Sequence, residues 1–408
     1  MKKIISCFKK IFKNSDLPKK IDNLKMSNYD SWDSLSHIKL LLEIEKKMKI
    51  KFSMKEISEI NSFKKIVSKV QKIKKLIKIN IVQAKNLDKK KILMFLKEHW
   101  SENHILIKKN KVFETYYKEG KKLNFFLAKD KKKIFGLLGF VKDEKYSKLP
   151  NSIIWTSLLI SLNNYPTVGI KLVEKLVKSF KFSDIGCMGN NLVSERLFKL
   201  AGFRTIILNH YYLIKNKRKY QLIKFKRKKN LLKKKLSINF NFEEVSKKNI
   251  KNFNNFNYSF KNKNFLINKY LLNKFYNYKI YVIYNNDSTP KSFLIYRVIN
   301  IKNSKCIRIV DRCGDFKTIK NDIAMFSYLL KKYNAEYLDF YSSEKIPISL
   351  NKYINKNSYD NNTIIPNYFE PFVQSNIKIR GGVFFNRLKK KYFFFKAEGD
   401  SERANLLQ

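Results

Sequence analysis

The chain has 408 residues, which is long enough for two or three domains that each bury a core. Its formal net charge of +54 favours a nucleic-acid or anionic-membrane partner, but only ten of its 87 basic residues are arginine. Sequence-specific readers use arginine for bidentate base contacts, so the composition argues against specific nucleic-acid binding. Nonspecific polyanion binding stays open.

The cysteines and apolar runs predict a cytoplasmic protein. Cys7, Cys187, Cys306 and Cys313 show neither CxxC nor metal-ligand spacing, so we expect reduced thiols and no metal site. No window of about 18 apolar residues occurs, so no transmembrane span is predicted. The opening MKKIISCFKKIFKN has too short an apolar run for a signal peptide. Its spacing suits a packed helix or, alternatively, a membrane-surface helix.

Pattern divides the chain into three blocks. Residues 1–72 carry only helical patterns, and a lysine-rich stretch follows. Residues 80–225 alternate strand-like runs (LNFFLAKD, KKIFGLLGFV, SIIWTSLLISL) with helical runs (GIKLVEKLVKSF, SERLFKLAGF). Gly202 follows the last of these helices, in a position typical of a helix C-terminus. Residues 236–408 repeat this plan, with KCIRIVDRCGD as a strand and IKNDIAMFSYLLKKY as a helix. The sequence predicts a multi-domain protein with two divergent copies of one α+β unit.

The stretch DSWDSLSHIKLLLEIEKKM holds the first chemical candidate, Ser34, at the start of an amphipathic helix. One interpretation is structural, because serine is a common helix N-cap. His37 is expected at the surface of this helix or at an interface. Its inner side is predicted to hold Leu35, Ile38, Leu41, Leu42 and Met48.

Residues 1–72 resemble an acyl carrier protein, a small all-α domain of four helices. The resemblance rests on Asp33-Ser34-Leu35, on the IKF element after the second helix, and on SFKKIVSKV at the last helix. It implies a covalent 4′-phosphopantetheine arm on Ser34, which the positive end of the helix dipole would tolerate. It also implies a phosphopantetheinyl transferase and an acyl-loading ligase as partners. The second helix lacks the usual acidic surface, which suits a carrier tethered to its own enzyme.

Residues 80–215 resemble the GNAT superfamily of N-acyltransferases, whose mixed sheet is flanked by helices. GNNLVSERLFKLAGFRT matches the family helix from Asn191 to Phe203, and IIWTSLLI matches the fourth strand, which pairs with the pantetheine amides. YPTVGIK matches the loop that holds the donor phosphates. One glycine stands where several are usual, which suits a donor without a diphosphate or reflects divergence. The resemblance assigns donor binding to Val168, Gly169, Ile170, Lys171 and Asn191.

Acid and base candidates are few. Phe198 occupies the position of the tyrosine that protonates the departing thiolate in many GNAT members. Another group therefore supplies the proton, or the thiol leaves unassisted. His104 is the first candidate for the base that deprotonates the acceptor amine, with a structural role as its alternative, and His210 is the second. Trp100 and Asn103 lie on the stretch where the family recruits acceptors.

Residues 236–408 resemble a second, degenerate GNAT-type unit. Gly314 alone follows the CIRIVDRCGD strand, so this block is not expected to bind its own donor. Glu370 and Arg403 are candidates for acceptor binding, and Arg403 would suit a nucleotide diphosphate, although both could act within the fold. IIPNYFEPFVQSN and FFFKAEGDSERANL resemble acyltransferases of bacterial surface-polysaccharide synthesis.

The sequence therefore predicts a carrier-fused N-acyltransferase. It would move an acyl group from the Ser34 arm to an amine, that of a nucleotide-linked amino sugar for a surface polysaccharide. One alternative is an enzyme that uses acyl-coenzyme A and acetylates a peptide or small amine. The other is a non-catalytic polyanion-binding protein with a scaffold carrier domain. In either enzyme we expect direct attack on the thioester, because no Cys-His or Ser-His pair stands out.

Overall fold

A computed structural model describes the chain apart from short segments. These segments are 13–16, 19–20, 78, 131–132, 151, 227–231, 237–240, 254–256, 259–260, 285–288, 302, 370–371, 387–391 and 401–408. The chain forms two compact units, Met1–Asn80 with Ala128–Lys133, and Ile81–Leu127 with Ile134–Gln408. Apart from residue 80 and residues 128–133, both predicted α+β blocks lie in the second unit. Among the described residues, no helix has the length and apolar character needed to cross a membrane.

The described part of the first unit contains four α-helices. They are α1 (Lys2–Ile11), α2 (Ser34–Met48), α3 (Met54–Glu59) and α4 (Phe63–Ile77). Aromatic rings hold the centre of this unit, where Phe8 meets Trp32 edge-on at 5.2 Å between ring centroids. Phe8 also packs against Phe63, at 5.3 Å, so α1 and α4 share one core.

Helix α2 buries a different face from the predicted one. The predicted inner residues Leu35, Ile38 and Leu42 are 62%, 49% and 57% exposed. His37, expected at the surface or an interface, is buried. Its Nδ1 accepts the Trp32 Nε1–H at 3.1 Å, so the buried ring has a hydrogen-bond partner. Apolar residues occupy more than one side of this helix, so periodicity could not select the buried face. The buried residues are His37, Leu40, Leu41 and Ile44.

The second unit combines short helices with many strands. Its helices are α5 (Lys89–His99), α6 (Ile105–Lys108), α7 (Asn110–Tyr117), α8 (Glu144–Ser147), α9 (Pro166–Ser179), α10 (Leu192–Leu200), α11 (Lys263–Leu266) and α12 (Ile319–Lys332). The strands of the first copy are β1 (Asn80–Lys85), β2 (Lys118–Glu119), β3 (Lys122–Lys129), β4 (Ile134–Lys142), β5 (Ile154–Ser161), β6 (Ile185–Met188), β7 (Arg204–Ile207), β8 (Asn209–Ile214) and β9 (Lys224–Phe225). Those of the second copy are β10 (Phe242–Val245), β11 (Asn257–Tyr258), β12 (Lys261–Asn262), β13 (Lys279–Tyr284), β14 (Pro290–Ile301), β15 (Ser304–Gly314), β16 (Tyr337–Ser342), β17 (Asn355–Lys356), β18 (Thr363–Ile364), β19 (Tyr368–Phe369), β20 (Phe372–Val373) and β21 (Arg380–Phe384).

Two mixed sheets repeat one plan. The first runs β1-β3-β4-β5-β6-β21-β7, with β2 beside β3, and the second runs β10-β13-β14-β15-β16-β8-β17. Each contains a parallel pair, β5 with β6 and β15 with β16, and a helix (α9 or α12) connects the two strands of that pair. Position by position the two paths correspond, which confirms the predicted repeat of an α+β unit.

The two copies exchange one strand each. β8 directly follows β7 in the chain but pairs antiparallel with β16 of the second sheet, from Asn209↔Ser342 to Ile214↔Tyr337. β21 comes from the second copy and lies between β6 and β7, paired antiparallel with both. Each sheet is incomplete without a strand of the other copy, as in a domain swap, so the two copies form one folding unit.

Two glycines make room for β21 between its neighbours. A Cβ on Gly381 would lie 2.8 Å from Met188 Sδ, and one on Gly382 would lie 3.3 Å from the Arg204 carbonyl oxygen. Glycine in a strand interior weakens the strand, but it permits this close approach of neighbouring chains.

A buried ionic cluster ties the C-terminal segment to β15. Lys261 Nζ lies 2.5 Å from Asp311 Oδ1 and 2.7 Å from Glu398 Oε1, and the three side chains are at most 4% exposed. Tyr270 O–H donates to Asp311 Oδ2 at 2.5 Å. Charges desolvated together are stable only while every partner is present, so this cluster fixes the path of the chain around Glu398.

Removing the cation of this cluster should destabilise the second unit strongly. Lys261→Ala should lower the free energy of unfolding by about 3–5 kcal/mol, because Asp311 and Glu398 would stay buried without it. The control is Lys142→Ala, since the partly exposed pair of Lys142 and Glu119 should contribute at most about 1 kcal/mol. Denaturant unfolding measures both variants, and equal losses would show that burial is not the cause.

Candidate active site

The central feature of the first sheet is the divergence of β5 and β6. These strands pair in parallel over three positions only, the last of which joins Thr156 to Cys187. Beyond it β5 continues to Ser161, paired with β4 on its other side, while β6 ends at Met188. We call the gap beyond Thr156 and Cys187 the first cleft. Its β5 wall has lost the partner strand that a sheet interior would supply.

A β-bulge marks the point where the first cleft opens. Phe140 lies opposite Thr156 and Gly139 lies opposite Leu158, so Ser157 has no partner residue on β4. A bulge bends its strand and disrupts the local ladder, which turns the rest of β5 away from β6. Ser157 is partly exposed, whereas Trp155 and Thr156 before it are buried.

Beyond the bulge, β5 presents backbone groups to the cleft. Leu162 N–H donates to the Phe135 carbonyl at 3.0 Å. Hydrogen-bonded pairs alternate along an antiparallel ladder, so the backbone groups of Ile160 and Leu158 also face β4. Because peptide groups alternate along a strand, those of Leu159 and Ser161 point toward the open side. The cleft wall therefore offers the N–H and C=O groups that an extended amide-bearing molecule needs to add as a strand.

The predicted phosphate loop is a helix instead. α9 begins at Pro166, so Val168, Gly169, Ile170 and Lys171 lie inside it, and Lys171 is exposed. Its first turn lacks one N–H at Pro166, and Val168 N–H already donates to the Tyr165 carbonyl at 3.0 Å. Proline at the first helical position is a start signal that the sequence interpretation overlooked.

Gly169 serves helix packing. A Cβ there would lie 2.7 Å from Leu197 Cδ1, so glycine allows α9 and α10 to approach. The Val168 side chain is buried and faces Gly136, where a Cβ would lie 2.6 Å from Val168 Cγ1. These two residues are parts of the core and do not present side chains to a donor.

Asn191 and Phe198 both stabilise α10. The Asn191 side chain accepts the Ser194 N–H at 2.8 Å and is the N-cap of this helix. The Phe198 ring is buried 5.0 Å from that of Phe203, so the position of the family's acid holds a core residue. Gly202 has φ +88°, which confirms its predicted place after the helix end.

His104 is the N-cap of α6. Its Nδ1 accepts the Leu106 N–H at 3.3 Å, and its ring lies 4.0 Å from that of Trp100. Any base role stays a prediction, and it would have to use Nε2, because Nδ1 is occupied by the cap. Trp100, at the end of α5, is 40% exposed, and Asn103 is exposed in the turn before α6.

His210 lies in the second sheet and is 1% exposed. Asn357 Nδ2 lies 3.0 Å from its Nδ1 and, since Asn357 Oδ1 accepts the Tyr359 N–H, the amide must donate to the imidazole. Nε2 then carries the proton of the neutral ring and faces Asp339 Oδ2 at 3.5 Å. A buried ring so placed is not open to an acceptor amine, so the structure does not support His210 as the base. Glu370 and Arg403, the other acceptor candidates, lie outside the described residues.

The chain's own C-terminal segment fills the corresponding second cleft, between β15 and β16 beyond Ile309 and Phe340. Ser343 N–H donates to the Phe394 carbonyl at 2.9 Å, and Ala397 N–H donates to the Val310 carbonyl at 2.8 Å. Val310 is the bulged residue of β15, equivalent to Ser157. No backbone segment among the described residues makes the equivalent hydrogen bond to Ser157.

Arg312 closes the turn after β15. Its guanidinium donates to Asp322 Oδ2 at 2.7 Å, to the Gly314 carbonyl at 2.8 Å and to the Asp315 carbonyl at 2.9 Å. Carbonyls that converge on a cation leave no N–H cradle for a phosphate at this turn. That the second copy binds no donor of its own stays a prediction.

The sequence interpretation missed a hydroxyl pair at the bulge. Tyr117, the last residue of α7, places its OH 2.8 Å from Ser157 Oγ. Forty positions separate the two residues, and neither belongs to a motif, so no local pattern could have connected them.

No family model matches the sequence, and no curated protein matches it. Solved structures with a similar fold include a GCN5-related N-acetyltransferase from Anabaena variabilis ATCC 29413, at 10% identity and a TM-score of 0.47, with 76% of this chain and 73% of that chain covered. A probable N-acyltransferase from Enterococcus faecalis V583 is 9% identical, with a TM-score of 0.44 and coverages of 74% and 71%. Saccharomyces cerevisiae N-myristoyltransferase with bound myristoyl-CoA is 10% identical, with a TM-score of 0.39 and coverages of 75% and 80%. Likenesses this low assign neither activity nor site residues to this chain. The α+β fold with mixed sheets flanked by helices rests on its own topology.

The buried imidazole should make stability depend on pH. Burial lowers the pKa of His210 below its usual 6.5, against the opposing effect of Asp339. The unfolded chain binds the proton more readily, so stability is full above pH 6.5 and falls as the pH drops through that value, at up to about 1.4 kcal/mol per pH unit. His210→Asn should flatten this slope in denaturant unfolding from pH 7.5 to 5.5. An unchanged slope in His210→Asn would refute the assignment.

Proposed function

We propose that this chain is an N-acyltransferase whose thioester donor lies along β5 in the first cleft. The unpaired edge at Leu159 and Ser161 supports this most strongly, because an extended pantetheine carries amides at a spacing that can continue a sheet. The second cleft is occupied by the C-terminal segment, which supports one donor site per chain. The reaction is direct attack of an amine on the thioester carbonyl, with the thiol as leaving group.

The donor arm is proposed to be a 4′-phosphopantetheine on Ser34. Ser34 is exposed at the first position of α2, where Asp33 is the N-cap and accepts the Ser36 N–H at 2.7 Å. This hydrogen bond lowers the pKa of Asp33, which is therefore ionised at neutral pH. Ser34 is consequently not the cap, and its hydroxyl is available to a modifying enzyme.

The exposed apolar row of α2 supports the same proposal. Leu35, Ile38 and Leu42 follow Ser34 at helical spacing and lie in solvent. Exposed apolar patches commonly mark surfaces for protein partners. A phosphopantetheinyl transferase and an acyl-loading ligase are the partners proposed for this surface.

The acceptor is proposed to be an amine of a nucleotide-linked amino sugar, for a surface polysaccharide. Arg403 and Glu370 stay predictions for its recognition, and so do Trp100, Asn103 and a base role of His104. Acyl-coenzyme A is the alternative donor. The first turn of α9, which has lost two backbone donors, favours a donor without a diphosphate.

Modification of Ser34 can be tested directly. Co-expression with a phosphopantetheinyl transferase should add the mass of the arm to the peptide that contains Ser34, and Ser34→Ala should abolish both the increment and carrier-dependent transfer. Because Asp33 is the cap, Ser34→Ala should change the unfolding free energy by at most about 0.5 kcal/mol, whereas Asp33→Ala should lower it by about 1 kcal/mol. An increment on another peptide, or none with several transferases, would exclude the carrier role.

The nature of the donor is tested with the full-length Ser34→Ala protein. Calorimetry with acetyl-coenzyme A should detect no micromolar binding, since Pro166 and Val168 offer no free N–H to the diphosphate. Wild-type protein loaded with an acyl arm should transfer the acyl group to an amine. Micromolar binding with turnover of acetyl-coenzyme A would establish the alternative donor.

A further inference from the structure

Breaking a thioester leaves a negative charge on sulfur, which is removed when a proton donor protonates the thiolate. A thiol has a pKa of about 8.5 in water, and a cleft with little water raises the free energy of the thiolate. The position where the GNAT resemblance expects a tyrosine holds Phe198, whose ring is buried against Phe203. Phe198 has no proton to give, so an assisted departure of the thiol requires another group near the sulfur.

The bulge of the first cleft places a hydroxyl pair there. Ser157 is the unpaired residue at which β5 and β6 separate, and it is partly exposed. Tyr117 OH lies 2.8 Å from Ser157 Oγ, behind it on the face covered by α7. The Tyr117 ring is fully buried, at 4.5 Å from the Phe125 ring and 5.4 Å from the Phe113 ring. This packing fixes the phenol in hydrogen-bond reach of the serine.

The second copy provides an internal comparison. Its equivalent bulged residue is Val310, which has no hydroxyl, and its cleft is filled by the C-terminal segment. The bulge therefore carries a proton donor in the first cleft and none in the second. Since Val310 forms the same bulge without a hydroxyl, the bulge itself does not require a hydroxyl at Ser157.

We propose that Ser157 is the catalytic acid of the first cleft and that Tyr117 supplies its proton. This inference rests on the proposed acyl transfer. As the amine nitrogen bonds to the carbonyl carbon, the C–S bond breaks and its electron pair stays on sulfur. Ser157 O–H protonates the sulfur as Tyr117 O–H gives its proton to Ser157. Once the thiol has left, water at the partly exposed Ser157 returns a proton to the pair, and Ser157 passes it to Tyr117. The extra proton of the amine passes to solvent, so the products are an amide and a free thiol.

The test compares two leaving groups on the full-length protein. The probes are the acetyl thioesters of N-acetylcysteamine, an alkyl thiol, and of 4-nitrothiophenol, whose thiolate needs no acid, with hydroxylamine as the amine. Ser157→Ala should lower the enzymatic rate about 10²-fold with the alkyl thioester and less than about 3-fold with the aryl thioester. Tyr117→Phe should give the same selectivity, and Ser157→Thr should restore much of the rate.

Controls separate catalysis from folding. Tyr116→Phe removes the neighbouring hydroxyl of α7 and should leave both rates unchanged, and thermal unfolding should show that every variant is folded. Equal loss with both thioesters would overturn the acid role of Ser157 while leaving the proposed acyl transfer intact. Wild-type protein that transfers the acetyl group from neither thioester would overturn the proposed function and this inference together.

Discussion

The reciprocal exchange of β8 and β21 is the constraint on which the second unit depends. Each sheet completes its hydrogen-bonded ladder with a strand of the other copy, so neither copy by itself contains all the strands of its sheet. After β21 in the first sheet, the chain returns to the second sheet, where Phe394 and Ala397 make backbone hydrogen bonds. The segment around Glu398 can therefore enter the second cleft, where Lys261 and Asp311 hold it in a buried ionic cluster.

From this constraint follows the difference between two clefts of the same design. Both contain a parallel pair that separates at a bulge, and in both a helix connects the separating strands. In the second cleft, Ala397 N–H donates to the carbonyl of the bulged residue Val310, and the Arg312 guanidinium donates to the carbonyls of Gly314 and Asp315. The same backbone geometry is thus a proposed binding site in one copy and a packed interior in the other.

The chemistry assigned to the first cleft uses a small number of groups. In the proposed reaction the edge of β5 supplies backbone hydrogen bonds, and a hydroxyl pair lies where the strands part. Three of the four histidines make structural contacts, because His37 and His210 are buried and His104 is a helix cap. A reaction with a good leaving group and direct attack needs no nucleophilic residue, which fits this arrangement.

The sequence by itself determined the local elements and their repetition. Hydrophobic periodicity located β5, α10 and α12, and the glycine at position 202 marked a helix end, because these signals act between residues close in the chain. Proline at position 166 also carried a readable helix start. Only the tertiary structure decided which face of α2 is buried, which strands change sheets, and that Tyr117 meets Ser157. Those outcomes depend on packing between segments far apart in the chain, and no local pattern encodes that packing.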